Sequence, residues 1–337
     1  LDVKDLKVEF DTYGGTVKAV RGVSYRVRRG KTLGVVGESG CGKSVTVQAI
    51  LQLIPMPPGR ITSGSARLNG KEMIGMSAKE INTIRGREVG VIFQDPMSSL
   101  NPTMKIGKQI AETVRVHQNA SKTEAMQKAI SLLERTKIPE AGKRADQYPF
   151  EFSGGMLQRA IIAMSMACDP TLLVADEPTT ALDVTIQAQT LEVMHGLQKN
   201  HGMSIILITH DLGVIAKMAH DVAVMYAGQV VEAGPVDDIF YRSSHPYTLG
   251  LRHAMPTNIE GSSRKLLPID GSPPDLFKPP KGCGYFARCP YAMRVCENQI
   301  PEEFTISEGH FARCWLQHAT APKVESELYQ IGHTENA

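Results

Sequence analysis

A glycine-rich loop constrains this chain more than any other feature. Gly37-Glu38-Ser39-Gly40-Cys41-Gly42-Lys43-Ser44 satisfies the phosphate-binding pattern G-x-x-x-x-G-K-[ST] in full. The pattern requires a buried strand before it and a helix after it. Thr32 to Val36 is short and apolar, and Ser44 to Leu51 reads as the first turns of a helix. In that setting consecutive backbone N–H groups curl around phosphate oxygens, and the positive end of the helix dipole adds to them. Lys43 is expected on the outer phosphates and Ser44 on a magnesium ion. The residues counted as nucleotide-binding here are Gly37, Ser39, Gly40, Cys41, Gly42, Lys43, Ser44 and Val45.

A chain of 337 residues has room for about two domains, and 42% hydrophobic with 21% charged residues fits a globular protein. A net charge of +2 gives no global electrostatic case for nucleic acid, although a local basic patch stays open. No apolar run approaches the ~20 residues that cross a bilayer, and the N-terminus lacks a signal-peptide pattern. The chain is therefore expected in the cytoplasm, reaching a membrane only through a partner that spans it. Six cysteines divide unevenly: Cys41 and Cys168 stand alone, while Cys283, Cys289, Cys296 and Cys314 fall within 32 residues. In a reducing compartment such a group reads as metal-binding rather than disulfide-linked.

Along the chain, residues 3 to 36 alternate apolar and polar positions around the turns Tyr13-Gly14-Gly15 and Arg28-Arg29-Gly30, predicting an antiparallel strand group. From about 106 to 167, Val114, Met126, Ile130, Leu132 and Leu133 recur at helical spacing, predicting a helical insertion. Two apolar strands, 171–175 and 204–208, flank a stretch from Val184 to Lys199 with the length of a crossover helix. That order gives a parallel α/β core. From Ser243 onward Pro and Gly accumulate, and the tail reads as a separate, loop-rich appendage held by something other than a large core.

The strand at 171–175 runs into Asp176-Glu177, two carboxylates at the C-terminal edge of a parallel sheet, where ligands of such sheets bind. Asp176 suits magnesium through water, and Glu177 suits the polarisation of a water that attacks the γ-phosphate. Phe152-Ser153-Gly154-Gly155-Met156-Leu157-Gln158-Arg159 is a helix start that can bind anions, a weak signal alone because Ser-Gly-Gly is often just a cap. Together these motifs resemble the ATP-binding-cassette ATPases. Phe152 to Arg159 matches the signature, Gln94 the Q-loop, Ala181-Leu182-Asp183 the D-loop, and His210 the switch histidine, in the family's order. Tyr13 stands where the family places a ring on adenine, with Phe10 as competitor.

The resemblance implies a cassette over 1–242, with a parallel core, an antiparallel β subdomain and a helical subdomain at about 97–167. It implies ATP and Mg²⁺ as ligands, with Ser44, Gln94 and Asp176 around the metal, and Glu177, Gln94 and His210 in catalysis. It also implies head-to-tail pairing with a second cassette, identical or paralogous. Ser153, Gly154, Gly155 and Asp183 would then face the partner's nucleotide. Phe93 to Pro102, Phe152 to Met156 and His245-Pro246-Tyr247-Thr248 resemble the ATPases of dipeptide and oligopeptide importers, a branch shared with nickel importers. That branch works with two permease subunits and an extracytoplasmic binding protein, at the cytoplasmic face of the membrane and without nucleic acid. Segments from Met97 to Tyr148 would meet a short helix of the permeases. A soluble cassette acting on ribosomes or nucleic acid is the competing class, and this chain has neither a second cassette nor heptads.

The spacing Cys283-x5-Cys289-x6-Cys296-x17-Cys314 matches neither the common zinc pairs nor bacterial ferredoxins, so spacing leaves the metal open. Some dipeptide-importer ATPases carry a [4Fe-4S] cluster in the 243–337 extension, and the resemblance implies one here, with Zn²⁺ as the alternative. A structural role fits such a Pro-rich tail, and gating of the ATPase by the tail is a further reading. Cys41 sits where N–H groups could lower its pKa and make it oxidisable, the plainer reading being a position where many residues fit. Cys168 reads as a buried helix residue.

Overall fold

The computed structural model describes residues 1–180, 183–255 and 268–330. The chain opens with β1 (Asp2–Thr12), β2 (Gly15–Arg26) and β3 (Thr32–Val36). The phosphate loop then leads into α1 (Lys43–Ile50), followed by β4 (Gly59–Leu68), β5 (Lys71–Glu72), α2 (Ala78–Ile84) and β6 (Val89–Ile92). Next come α3 (Pro96–Ser99), α4 (Ile106–Gln118), α5 (Lys122–Arg135), α6 (Ala141–Arg144) and α7 (Gly154–Ser165). β7 (Leu172–Asp176), α8 (Val184–His201) and β8 (Ser204–Ile208) follow, then α9 (Leu212–Met218), β9 (Asp221–Tyr226) and β10 (Gln229–Pro235). The last part holds α10 (Val236–Tyr241), α11 (Pro246–His253), α12 (Arg294–Asn298), β11 (Phe304–Ser307) and β12 (His310–Ala312). None of the described helices is long and apolar enough to cross a membrane.

By contacts the chain divides into two units. One holds Leu1–Arg26, Leu33–Ile74 and the described residues from Thr209 onward. In it β1 pairs antiparallel with both β2 and β4, and β5 completes the order β2-β1-β4-β5. Separately, β3 runs parallel to β9, with Leu33 opposite Asp221 and Val36 opposite Val224. β3 thus leaves the antiparallel group predicted for residues 3 to 36. All five of its residues are buried, the mark of a strand covered on both faces rather than of a half-solvated one. β9 turns back into β10, and β12 pairs with β10, Glu232 lying opposite Ala312. The tail is therefore not a separate appendage, because its hairpin β11–β12 continues the sheet that β3 and β9 begin.

The other unit holds Val27–Thr32 and Gly75–Ile208. β6, β7 and β8 are parallel, and α8 is the crossover between the last two. β7 and β8 are buried throughout, and Asp183 and Gly202 (φ 61°) cap the two ends of α8. The helical insertion lies between β6 and β7. Val114, Leu132 and Leu133 are core residues there, while Met126 and Ile130 are half-buried. Ser121 and Glu124 form a reciprocal capping box that starts α5. Cys168 is buried but lies in the turn past α7, which ends at Ser165.

Candidate nucleotide-binding and active site

In the first unit the phosphate loop follows β3. Gly42 has φ 96°, and a Cβ there would stand 2.5 Å from the Ala19 carbonyl oxygen, so only glycine fits. Its own carbonyl accepts from the Thr46 N–H at 3.0 Å and the Thr46 hydroxyl at 2.8 Å, which fixes the start of α1. Lys43 is buried, and its ammonium lies across the loop, donating to the carbonyls of Gly37 at 2.7 Å and Glu38 at 2.9 Å. Ser39 and Gly40 form an exposed rim, and Ser44 and Val45 are half-buried at the head of α1. Cys41 is buried within the loop, and burial pushes its thiol up despite Lys43 nearby, which favours the plainer reading of that position.

Tyr13 caps the β1–β2 turn with its ring in solvent, whereas Phe10 packs partly inward over Gly59. Phe277 of the tail lies over Gly14 and Gly15, and the Leu276 carbonyl accepts from the Lys18 N–H at 3.0 Å. His210 is exposed in a loop whose neighbours are both pinned. The Thr209 N–H reaches the Val35 carbonyl at 3.3 Å, and Asp211 caps α9 by accepting from Gly213 and Val214.

In the second unit Asp176 is the buried last residue of β7. Glu177 follows in a left-handed conformation (φ 47°), and its N–H donates to the Ile208 carbonyl at 2.8 Å. Its Oε2 accepts from Gln94 Nε2 at 3.0 Å and from the Thr180 hydroxyl at 2.9 Å. The structure thus joins two of the three expected catalytic residues directly. The Gln94 amide N–H is used on Glu177, leaving its carbonyl oxygen as the atom that can face a cation. Ser153 caps α7, accepting from the Met156 N–H at 3.4 Å, with Gly154 in open space. Gly155 is a close-approach residue: a Cβ there would meet Ile186 of α8 at 2.8 Å. Ala181 and Leu182 lie outside the described residues. Asp183 caps α8 by accepting from Ile186 at 2.9 Å.

Comparison with known proteins decides the family. A family profile described as ABC transporter matches residues 20–180, and one described as oligopeptide/dipeptide transporter, C-terminal region, matches 231–296. The oligopeptide transport ATP-binding protein OppD of Bacillus subtilis is 56% identical over 325 residues, 96% of this chain and 91% of that protein. The chain belongs to the ABC transporter ATP-binding proteins. Within that family its C-terminal match places it in the oligopeptide/dipeptide branch. The dipeptide transport ATP-binding protein DppD of Lactococcus lactis is 49% identical over 96% of this chain and 93% of its own. The fold matches a dimeric ATP-binding cassette, MJ0796, bound to ADP and Pi, with a TM-score of 0.63 at 22% identity, covering 70% of this chain and 98% of that one. As a member of the family the chain is an ATPase coupled to transport.

The ATPase tail brings Cys283, Cys289, Cys296 and Cys314 to the wall of one small cavity, together with His245 and Tyr285. Trp315 also lines it, its indole N–H donating to the Gln299 carbonyl at 3.1 Å. Burial pushes the Cys283 thiol up to about 11 and that of Cys289 up to about 12. Among the described residues, however, no group of three or more His, Cys, Asp or Glu side chains is arranged to hold a metal ion. The expected metal-ligand geometry is therefore not seen.

Two features had no place in the sequence reading. Arg288, one residue before Cys289, forks onto Glu38 of the phosphate loop at 2.6 and 2.9 Å. The Tyr247 hydroxyl accepts from the Glu38 N–H at 2.8 Å. Arg288 had no sequence signal beyond its place next to a cysteine, where an arginine reads as a solvated charge, while Tyr247 stood within the quoted His245–Thr248 motif but with no role given to it.

Proposed function

We propose that this chain is the ATP-hydrolysing subunit of a peptide importer, at the cytoplasmic face of a membrane and attached to two permease subunits. The observation that carries the catalytic reading is the Glu177 carboxylate, held at the end of β7 by Gln94 and Thr180. Glu177 takes the role of polarising the attacking water, and Lys43 and the loop N–H groups hold the phosphates. Ser44, Asp176 and Gln94 would hold Mg²⁺, whose chemistry is to neutralise charge between the β- and γ-phosphates. His210 contacts the γ-phosphate, and Tyr13 supplies a ring for adenine. Ser153, Gly154, Gly155 and Asp183 serve the nucleotide of a head-to-tail partner cassette, a paralogue by preference. Pairing is supported by the dimeric state of MJ0796.

Peptide cargo is supported by the C-terminal region match and by the names of the relatives, and it takes precedence over nickel. The test is growth. A bacterium that lacks its own oligopeptide-importer ATPase and needs an external amino acid should grow on a tripeptide containing it when this chain is supplied with its permeases. A Glu177→Gln chain should not support that growth. Restoration of nickel uptake instead would select the other cargo.

For the four cysteines we propose a thiolate-bound [4Fe-4S] cluster, with a single Zn²⁺ as the alternative. The support is that all four line one cavity, which is the donor set either group takes. The group would act as a staple for a tail with few apolar residues. Iron, acid-labile sulfide and zinc, counted per chain on protein purified without oxygen, separate the cases. Four irons with four sulfides favour the cluster, one zinc favours the alternative, and no metal removes both.

A further inference from the structure

Arg288 closes a 3₁₀ turn, Phe286–Arg288, suspended between two cavity cysteines. The Phe286 N–H donates to the Cys283 carbonyl at 3.1 Å and the Cys289 N–H to the Phe286 carbonyl at 3.3 Å. From that turn the side chain reaches the phosphate loop and is only 5% exposed. A guanidinium has five N–H donors, and here each has an acceptor. Nε donates to the Asp270 carbonyl at 2.8 Å. Nη1 donates to Glu38 Oε2 at 2.6 Å and to the Tyr226 hydroxyl at 3.1 Å, and Nη2 to Glu38 Oε1 at 2.9 Å and the Ile269 carbonyl at 3.2 Å. The rings of Tyr226 and Tyr285 stand 5.7 and 5.9 Å from its charged carbon. A lysine, with one point charge, could not make this set.

The receiving residue is the second of the phosphate loop. Every polar group of Glu38 is held: the carboxylate by Arg288, the N–H by Tyr247, and the carbonyl by the Lys43 ammonium. Two of those three holders come from the tail. An unpaired carboxylate at this place would repel incoming phosphates, because like charges at close range in a partly buried loop are weakly screened. The ion pair cancels that charge and fixes the loop at once.

We propose that Arg288 is a positioning residue of the ATP site: through its fork on Glu38 the C-terminal extension shapes the phosphate loop and neutralises the carboxylate within it. This rests on phosphate binding at residues 37–44, and it makes the cysteine-bearing turn part of the nucleotide site.

Binding of a fluorescent ATP analogue to the full chain tests it, with the unliganded melting temperature as a check on folding. Arg288→Ala should weaken binding by tenfold or more, and Arg288→Lys by a smaller factor of at least three. Adding Glu38→Gln to Arg288→Ala should recover at least fivefold of the loss, because the unpaired charge is gone. A purely structural arginine would give no such recovery. The proposal is overturned if Arg288→Ala binds within twofold of the parent chain, or if the double variant binds no better than Arg288→Ala. Should Arg288→Ala fail to fold, Arg288→Lys binding within twofold overturns it equally. Loss of phosphate binding in a Lys43→Ala chain separates this outcome from failure of the site assignment itself.

Discussion

At Glu177 a left-handed backbone and two hydrogen bonds aim one carboxylate, and the residue can be tested without disturbing its support. Glutamine keeps the shape and an acceptor oxygen but cannot take up a proton. Glu177→Gln is therefore expected to lower the steady-state ATPase rate by roughly 10²–10⁴-fold while nucleotide affinity stays within threefold. An equal loss in both would make Glu177 a binding residue instead. Gly155 tests packing at the same scale. Its missing Cβ lets α7 approach Ile186, so Gly155→Ala should cost about 1–3 kcal/mol in urea unfolding through overpacking. The strand, loop and helix around residues 37–44 were legible because phosphate binding forces a local pattern, and Glu177 stood out as a carboxylate after an apolar strand, whereas Gln94 was singled out only through the family resemblance. The Glu38–Arg288 pair was not, since its partners lie 250 residues apart and neither is unusual alone.

Among elements, the β4–β5 turn is closed by Glu72. Its carboxylate accepts from the Ala66 N–H at 2.8 Å and the Ile74 N–H at 3.2 Å, and from the Ser65 hydroxyl and Arg67. Burial works to raise the Glu72 pKa, and these hydrogen bonds overcome it, leaving the carboxyl below its ordinary 4.5. A depressed carboxyl contributes stability above its unfolded pKa and loses it as pH falls through the folded value. Glu72→Gln should therefore lower the melting temperature at pH 7, and the gap from the parent chain should close below about pH 4.5. The tail hairpin depends on a second carboxylate. Fully buried Glu232 accepts from the Ser244 and His245 N–H groups at 2.6 and 3.0 Å and pairs with His310 at 2.9 Å. Glu232→Ala strands those donors, and a loss of about 3 kcal/mol or more in urea unfolding is expected. β11 and β12 escaped the sequence reading because strands of four and three residues among Pro and Gly carry no measurable alternation.

For the whole molecule the consequence of the proposed pairing is that one chain holds only parts of each site. A Glu177→Gln chain in Mg-ATP, mixed with its complementary cassette, is expected to double in mass by light scattering. Ser153→Arg should raise the ATP needed for that doubling at least tenfold. A chain that remains single under both conditions would remove head-to-tail pairing from the mechanism. The cassette's fold was readable from motif order because each motif sits at a strand end or helix start. The role of the tail was not, because its polar anchors on β10 and on the phosphate loop exist only after folding.

The cysteine cavity also makes the protein its own optical gauge. Trp315 is the only tryptophan in the sequence, and it lines that cavity. Emission excited at the red edge of the indole band therefore arises at a single address, a few bonds from Cys314. A visible-absorbing group bound there would drain that emission by energy transfer, whereas a colourless ion would leave it bright, so a single cuvette reads both occupancy and kind.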